Sequence, residues 1–256
     1  MRAVARCALL ALLLVAVARG QKLDSLRVNP PSHFQRNLIV GNVVFGTAAY
    51  FYFEETWGAP NGRFHFKNEF HDNIALTDEV SHFYAGYKLT EGFGWLFRIL
   101  KMPEDQITKY SALQAGLVVT LVEFPMDAFN PDQGLGVSDL LFDYGGIGWA
   151  LLRQRYPNNF DMKFCVKRPP WDFENKFLAN ENEEFANFIW WGTYRIYYGH
   201  VGVGYSISHN AQGRVESEYY LGAGTTAYDL IRLVSPKFAE EVKALDSYFI
   251  SLRLKL

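Results

Sequence analysis

The chain has 256 residues, with 25 Lys and Arg against 27 Asp and Glu and a formal net charge of −2. That balance offers a polyanion nothing to hold and sets nucleic acid aside as a partner. Hydrophobic residues make up 49 % and charged residues only 20 %, yet the mean hydropathy of −0.08 is too low for a multi-span membrane protein; a domain that packs on or partly into a membrane satisfies both.

Residues 1–20 have the pattern of a secretory signal peptide. Arg2 and Arg6 form a positive start, residues 7–18 an apolar core too short to span a bilayer, and Ala18 and Gly20 a small-x-small cleavage site before Gln21. The alternative is an uncleaved anchor. Cleavage would remove three arginines, taking the balance from 25 against 27 to 22 against 27, a net charge of about −5. Cys7 would leave with it, so Cys165 would stand alone with no disulfide partner. The expected location is exported, in the periplasm or cell envelope and membrane-associated, without a lipobox cysteine.

Residues 21–36, with Pro30-Pro31, form a polar, extended leader. A helical core is expected over 37–155. It opens with "NLIVGNVVFGTAAYFYF", 37–53, at the lower limit of a spanning helix but weakened by Asn37, Asn42 and two glycines. Three helices follow: 77 to about 100, with a possible break at Gly92 and Gly94; 106–124, apolar on nearly every side from Ala112; and 138–153, with Ser138 as N-cap and Asp139 in the first turn. Residues 156–186 are polar and irregular. Beyond them "YYGHVGVGYSIS" alternates and pairs with "VESEYYLGAG" across the turn "HNAQGR" as a hairpin. A helix starts at Ser235-Pro236, and "ISLRLKL" is a candidate last strand. The fold class read from this order is α+β, mainly α: a bundle of about four short apolar helices (37–153), then a small hairpin-and-helix region (156–256) packed on it.

Polar residues inside the apolar stretches mark a candidate site. Asp78, Glu79 and Asp139 are also what a helix start asks for, since first-turn acids complement the dipole by about 0.3–1 kcal/mol each. His82, Glu123, Asp127 and Asp143 lack that explanation. His82 lies past the cap, Glu123 closes an apolar helix where the dipole opposes an anion, and Asp143 stands between Phe142 and Tyr144. A lone buried carboxylate costs several kcal/mol, so such groups must share protons, a cation or donors. Asp78 and His82, like Asp139 and Asp143, are i,i+4 pairs on one helix face. Glu79-x-x-His82 has the spacing of carboxylate-bridged metal bundles, in a single copy. A divalent ion held by Glu79, His82, Glu123, Asp127 and Asp143 is therefore one expectation, and a hydrogen-bonded core histidine is the other. No nucleophile elbow, phosphate loop, H-E-x-x-H or paired C-x-x-C occurs. His200 and His209 read as strand and turn residues.

"TDEVSHFYAGYKLT", "EFPMD" and "GVSDLLFDYGGIG" together resemble the YfiM-like predicted periplasmic lipoproteins, a family of unknown function, and are more distantly similar to VanZ-like membrane proteins. The likeness is clearest over 77–150, and "WDFEN" and "YYGHVGVGYS" extend it less specifically. It implies functional positions at Asp78, His82, Tyr87, Glu123, Asp127, Ser138 and Asp143. Two departures stand out: Glu79 replaces the usual lysine after the first Asp, and no lipobox cysteine is present. Two functions remain open. One is a non-enzymatic structural or binding role in an envelope complex, partnered by a membrane or a membrane-protein complex. The other is a hydrolase or transferase of envelope lipids or glycans, with Asp78, His82 and Glu123 as catalytic residues: His82 as base or ligand, Glu123 and Asp143 holding a cation or orienting it.

Overall fold

The computed structural model describes residues 33–67, 76–156, 159–168, 185–197 and 199–256. The signal peptide, residues 21–32 of the expected leader and "WDFEN" lie outside them. The chain divides into two units between Glu55 and Thr56. The first carries helix α1 (His33–Thr56). It begins inside the span expected to be extended, and Asn42 is accommodated by a bond from its Nδ2 to the Leu38 carbonyl one turn back (2.9 Å).

In the second unit three helices pack together, α2 (Thr77–Ile99), α3 (Glu104–Leu121) and α4 (Val137–Arg155). A bundle of four is thus corrected to a trio, with α1 in the other unit. Gly92 and Gly94 do not break α2; Gly94 is the contact point for Ile107 and Ser111 of α3. Helix α3 stops short of 124 because Pro125 drives Phe124 into an extended conformation (φ −141°, ψ 114°), and Val122–Asp127 forms a wider π-helical turn. Helices α2 and α4 cross at Gly86 and Gly146. A Cβ on Gly86 would stand 2.1 Å from the Asp143 carbonyl oxygen, and one on Gly146 1.9 Å from that of Phe83. This backbone-to-backbone approach puts α2 and α4 side chains within bonding reach.

The C-terminal half corrects the fold class. In place of a small hairpin there is a five-stranded antiparallel sheet in sequential order: β1 (Phe160–Val166), β2 (Phe188–Ile196), β3 (Gly199–His209), β4 (Val215–Thr226) and β5 (Phe249–Lys255). Between β4 and β5 run α5 (Ala227–Val234), α6 (Pro236–Glu241) and a 3-10 turn, Lys243–Ser247. The sheet coils until its edges meet: Phe164 bridges Tyr248, and Arg253 Nη1 donates to the Val166 carbonyl at 3.3 Å. Trp191 fills the inner face with Cys165, Ile189, Tyr220 and Phe249. Gly222 makes room for it, since a Cβ there would come 2.6 Å from the Trp191 ring.

Polarity in this sheet departs from the usual rule. Beside the Trp191 cluster, the inner positions carry Asp161, Lys163, Arg195, His200 and Glu218. The outer ones carry Phe164, Trp190, Val201, Val203, Leu221, Leu252 and Leu254. The outer side of β1 and β2 packs on α2 and α4, with Trp190 against Tyr84, Tyr87 and Ala150. That of β3 to β5 is exposed except at Ile207, which is fully buried.

Candidate functional site: a buried His, Lys and carboxylate centre

Three helices and one loop residue build the centre. Asp78 and His82 stand one turn apart on α2, and His82 Nε2 lies 3.4 Å from Asp78 Oδ1. Across the glycine crossing, Asp143 of α4 brings Oδ2 to 3.3 Å from His82 Nδ1. Asp139, one turn earlier, lies 3.8 Å from His82 Nε2. Each imidazole nitrogen therefore faces carboxylate. Lys67 approaches from before α2, its Nζ 2.6 Å from Asp78 Oδ2 and 3.2 Å from Asp139 Oδ2. Glu123, in the π-helical turn that follows α3, accepts from the backbone N–H of Gly136 (3.2 Å), the residue preceding α4. The carboxyl that the α3 dipole would oppose as an anion thus meets a backbone N–H at the positive end of α4.

Charges follow from these contacts. Burial works against a proton on His82, but Asp143, Asp78 and Asp139 outweigh it and raise its pKa to about 11, so it is an imidazolium at neutral pH. Burial likewise opposes ionisation of Asp78, but His82 and Lys67 hold it down at about 2. Lys67 is desolvated too, yet Asp78 and Asp139 keep it charged, its pKa above the ordinary lysine value. Glu123 goes the other way: burial first, then neighbouring Asp139, push it up to about 8. Burial also raises Asp143, whose Oδ1 has no hydrogen-bond partner among the described residues. Two cations and the anion Asp78 thus share a buried cluster with carboxyls that burial drives toward neutrality.

Donor atoms of Asp78, His82 and Asp139, and of His82, Glu123 and Asp143, lie within 4.8 Å of one another, close enough to hold a metal ion. The first set is already bridged by Lys67 Nζ, and a metal on His82 would have to displace a proton held up to about 11. The donor chemistry therefore fits internal compensation by Lys67 and His82 better than a resident divalent ion.

Of the residues singled out from sequence, Asp78, His82, Glu123, Asp139 and Asp143 converge here. Glu79 and Asp127 supply no donor to either set of three among the described residues, though Asp127 is near enough to help raise Glu123. Ser138 is not the cap of α4, a place taken by Gly136; its hydroxyl reaches Asp139 Oδ1 at 3.5 Å. Tyr87 faces elsewhere, donating to Asp161 Oδ1 at 2.7 Å. Sequence reasoning missed Lys67, which lies in a turn-rich stretch; the one signal was Glu79, because a lysine absent beside Asp78 leaves a charge that something else must meet.

A second buried network was not foreseen. Asp161 pairs with Arg153 (2.8 Å) and with the fully buried Lys163 (3.0 Å), which also reaches Asp246 (3.0 Å). Arg195 continues the chain to Asp229 (2.7 Å), and His200 Nε2 meets the same carboxylate at 2.9 Å. Alternation in "FDMKFCV" and "YYGHVGVG" was the available signal, but an alternating strand ordinarily turns its polar side to water. Comparison of the chain with protein-family models, with curated proteins and with solved structures found no match.

Proposed function

We propose that this is an exported, membrane-associated protein of the cell envelope with a structural or binding role, in which the His82 centre joins three helices and turns over no substrate. One observation carries the proposal: the distribution of polarity. Beside an apolar core of Tyr87, Phe97, Ile107, Val119 and Ile147, the buried helix positions hold Asp78, Thr90, Ser111, Gln114, Glu123, Asp139 and Asp143, while Trp95, Ile99, Leu113, Leu117, Leu121, Leu141 and Leu152 are exposed. A helix trio standing in water would turn more of those large apolar side chains inward and the carboxylates outward. No helix among the described residues is long and apolar enough to cross a membrane, so the contact proposed is with a membrane surface or a membrane-protein complex. Catalysis is the weaker account. Glu123 at about 8 is a usable acid, but His82 is clamped as an imidazolium between carboxylates and is no base. In a native preparation the protein should begin at Gln21, pellet with membranes and resist a high-salt wash, because apolar contacts are not screened. Full recovery in the soluble fraction without detergent would overturn the proposal.

A further inference from the structure

We infer that the outer face of β3 to β5, with the exposed edge of α5, is the surface that lies against the acyl chains of a bilayer, a contact that presupposes the membrane-associated role proposed above. Three outward residues on each strand form the face: Val201, Val203 and Tyr205; Tyr219, Leu221 and Ala223; Ile250, Leu252 and Leu254. Val203 is 62 % and Leu252 87 % exposed. Every Asp, Glu, Lys and Arg of these strands (Glu216, Glu218, Arg253, Lys255) takes the opposite, inner register, and the polar outer residues, His209, Ser217 and Thr225, lie toward the strand ends. A strand facing water on one side shows the reverse pattern, whereas apolar-out, polar-in alternation is how a sheet meets lipid.

The face is also not a remnant of the core. Its continuation over β1 and β2 is covered by the chain's own α2 and α4 through Phe164, Phe188 and Trp190. The same apolar alternation then runs on past that cover. Tyr205 and Tyr219 pair at the β3–β4 hairpin end with ring centroids 5.7 Å apart, amphipathic rings of the type that line a membrane–water boundary. Helix α5 leaves β4 at the other end. It buries Tyr228 and Asp229 and exposes Leu230, Leu233 and Val234 at i, i+3, i+4 spacing, the pattern of a helix lying in an interface.

The chemistry of the face separates lipid from a second copy of the chain. A protein interface carries about one hydrogen bond per 100–200 Å², whereas the outward side chains other than Tyr205 and Tyr219 (Val201, Val203, Leu221, Ala223, Ile250, Leu252 and Leu254) offer no donor or acceptor. Acyl chains need none, and each buried methylene adds separately.

The test uses the mature protein, exchanged from detergent onto phosphatidylcholine vesicles and floated through a density gradient, beside Val203→Glu/Leu252→Glu and, on α3, Leu117→Glu. All three sites are exposed, so circular dichroism should match throughout. The expected result is flotation of the wild type and of Leu117→Glu, and at least a tenfold fall in the floated fraction for the sheet pair. Loss with Leu117→Glu but not with the sheet pair would move the contact to the helices, overturning this inference and leaving membrane association intact. A wild-type dimer that the sheet pair dissociates without changing flotation would assign the face to a second copy. A wild type that neither floats nor pellets with native membranes would remove both proposals.

Discussion

At the scale of single residues the centre works by balance. Glu123 shows it best, because nearly all its properties come from neighbours. Its folded pKa of about 8 lies above the ordinary carboxyl value of 4.5. The native state therefore holds the proton more tightly than the unfolded chain, and the stability this contributes is complete below about 4.5 and lost as pH rises to about 8. His82 acts in the same sense from 6.5 to about 11. Denaturant midpoints should thus fall between pH 5 and 8. Glu123→Gln, which keeps the neutral form, should flatten that fall and be more stable at pH 8 by on the order of 2 kcal/mol. An unchanged slope in the variant would mean that Glu123 is ionised in the fold. The complementary variant is Lys67→Met. It deprives Asp78 and Asp139 of their ammonium and should destabilise by about 2–4 kcal/mol. It should also leave a carboxylate set that millimolar Mg²⁺ or Ca²⁺ stabilises, where wild type shows no such response. A wild type whose melting midpoint rises with either ion would show that Lys67 does not fill the cation's place. The carboxylates and His82 were legible because each breaks an apolar run. Lys67 was not, because a lysine in a polar turn breaks no pattern.

At the scale of elements, three helices were legible from their apolar periodicity, and their ends were not. Thr77 and Ser138 have the chemistry of N-caps, yet Leu76 and Gly136 occupy the cap positions with no side-chain bond. The competing demand is the centre itself. A Cβ at residue 136 would stand 1.9 Å from Asp139 Oδ2, so glycine is required where the backbone N–H must reach Glu123. The α2–α4 crossing was legible in kind: Gly145, Gly146 and Gly148 are what a close helix approach asks for, and Gly145 and Gly146 do face α2, whereas Gly148 meets nothing within 4 Å. Gly146→Ala should cost about 1–3 kcal/mol or more, since the added carbon meets rigid backbone. Gly148→Ala has nothing within 4 Å to meet and should be neutral or stabilising by up to about 1 kcal/mol through helix propensity. Chemical denaturation of the pair would decide it; equal effects would mean that the crossing is not tight. The strands were legible only where alternation stood between clear turns. β1 and β2 were missed because polar residues such as Asp161, Lys163 and Thr193 occupy their buried positions.

At the scale of the whole second unit, the charged network ties the helices to the sheet. Tyr87 and Arg153 come from α2 and α4, Asp161 and Lys163 from β1, Asp246 from the 3-10 turn, and Arg195, His200 and Asp229 from β2, β3 and α5. Asp161 is the junction. Burial disfavours its charge, but Lys88, Lys163, Arg153 and the Tyr87 hydroxyl hold its pKa down at about 2. Its stabilisation is therefore present above the ordinary carboxyl value of 3.8 and lost as pH falls from there toward 2. Replacing it leaves Lys163, which is completely buried, with Asp246 as its remaining carboxylate. Removing one member of a buried ion pair costs about 3–5 kcal/mol, because the other charge stays desolvated. Asp161→Ala should accordingly lower the stability of the whole unit. It should also uncouple its halves, because the Arg153 ion pair from α4 and the Tyr87 hydrogen bond from α2 both reach the sheet at this carboxylate. In wild type, helical ellipticity and fluorescence of the sheet tryptophans should be lost in one coincident transition. In Asp161→Ala the two probes should separate. Coincident transitions in the variant at an unshifted midpoint would show that Phe164, Phe188 and Trp190 packing alone couples helices to sheet, and that the ions between them are incidental.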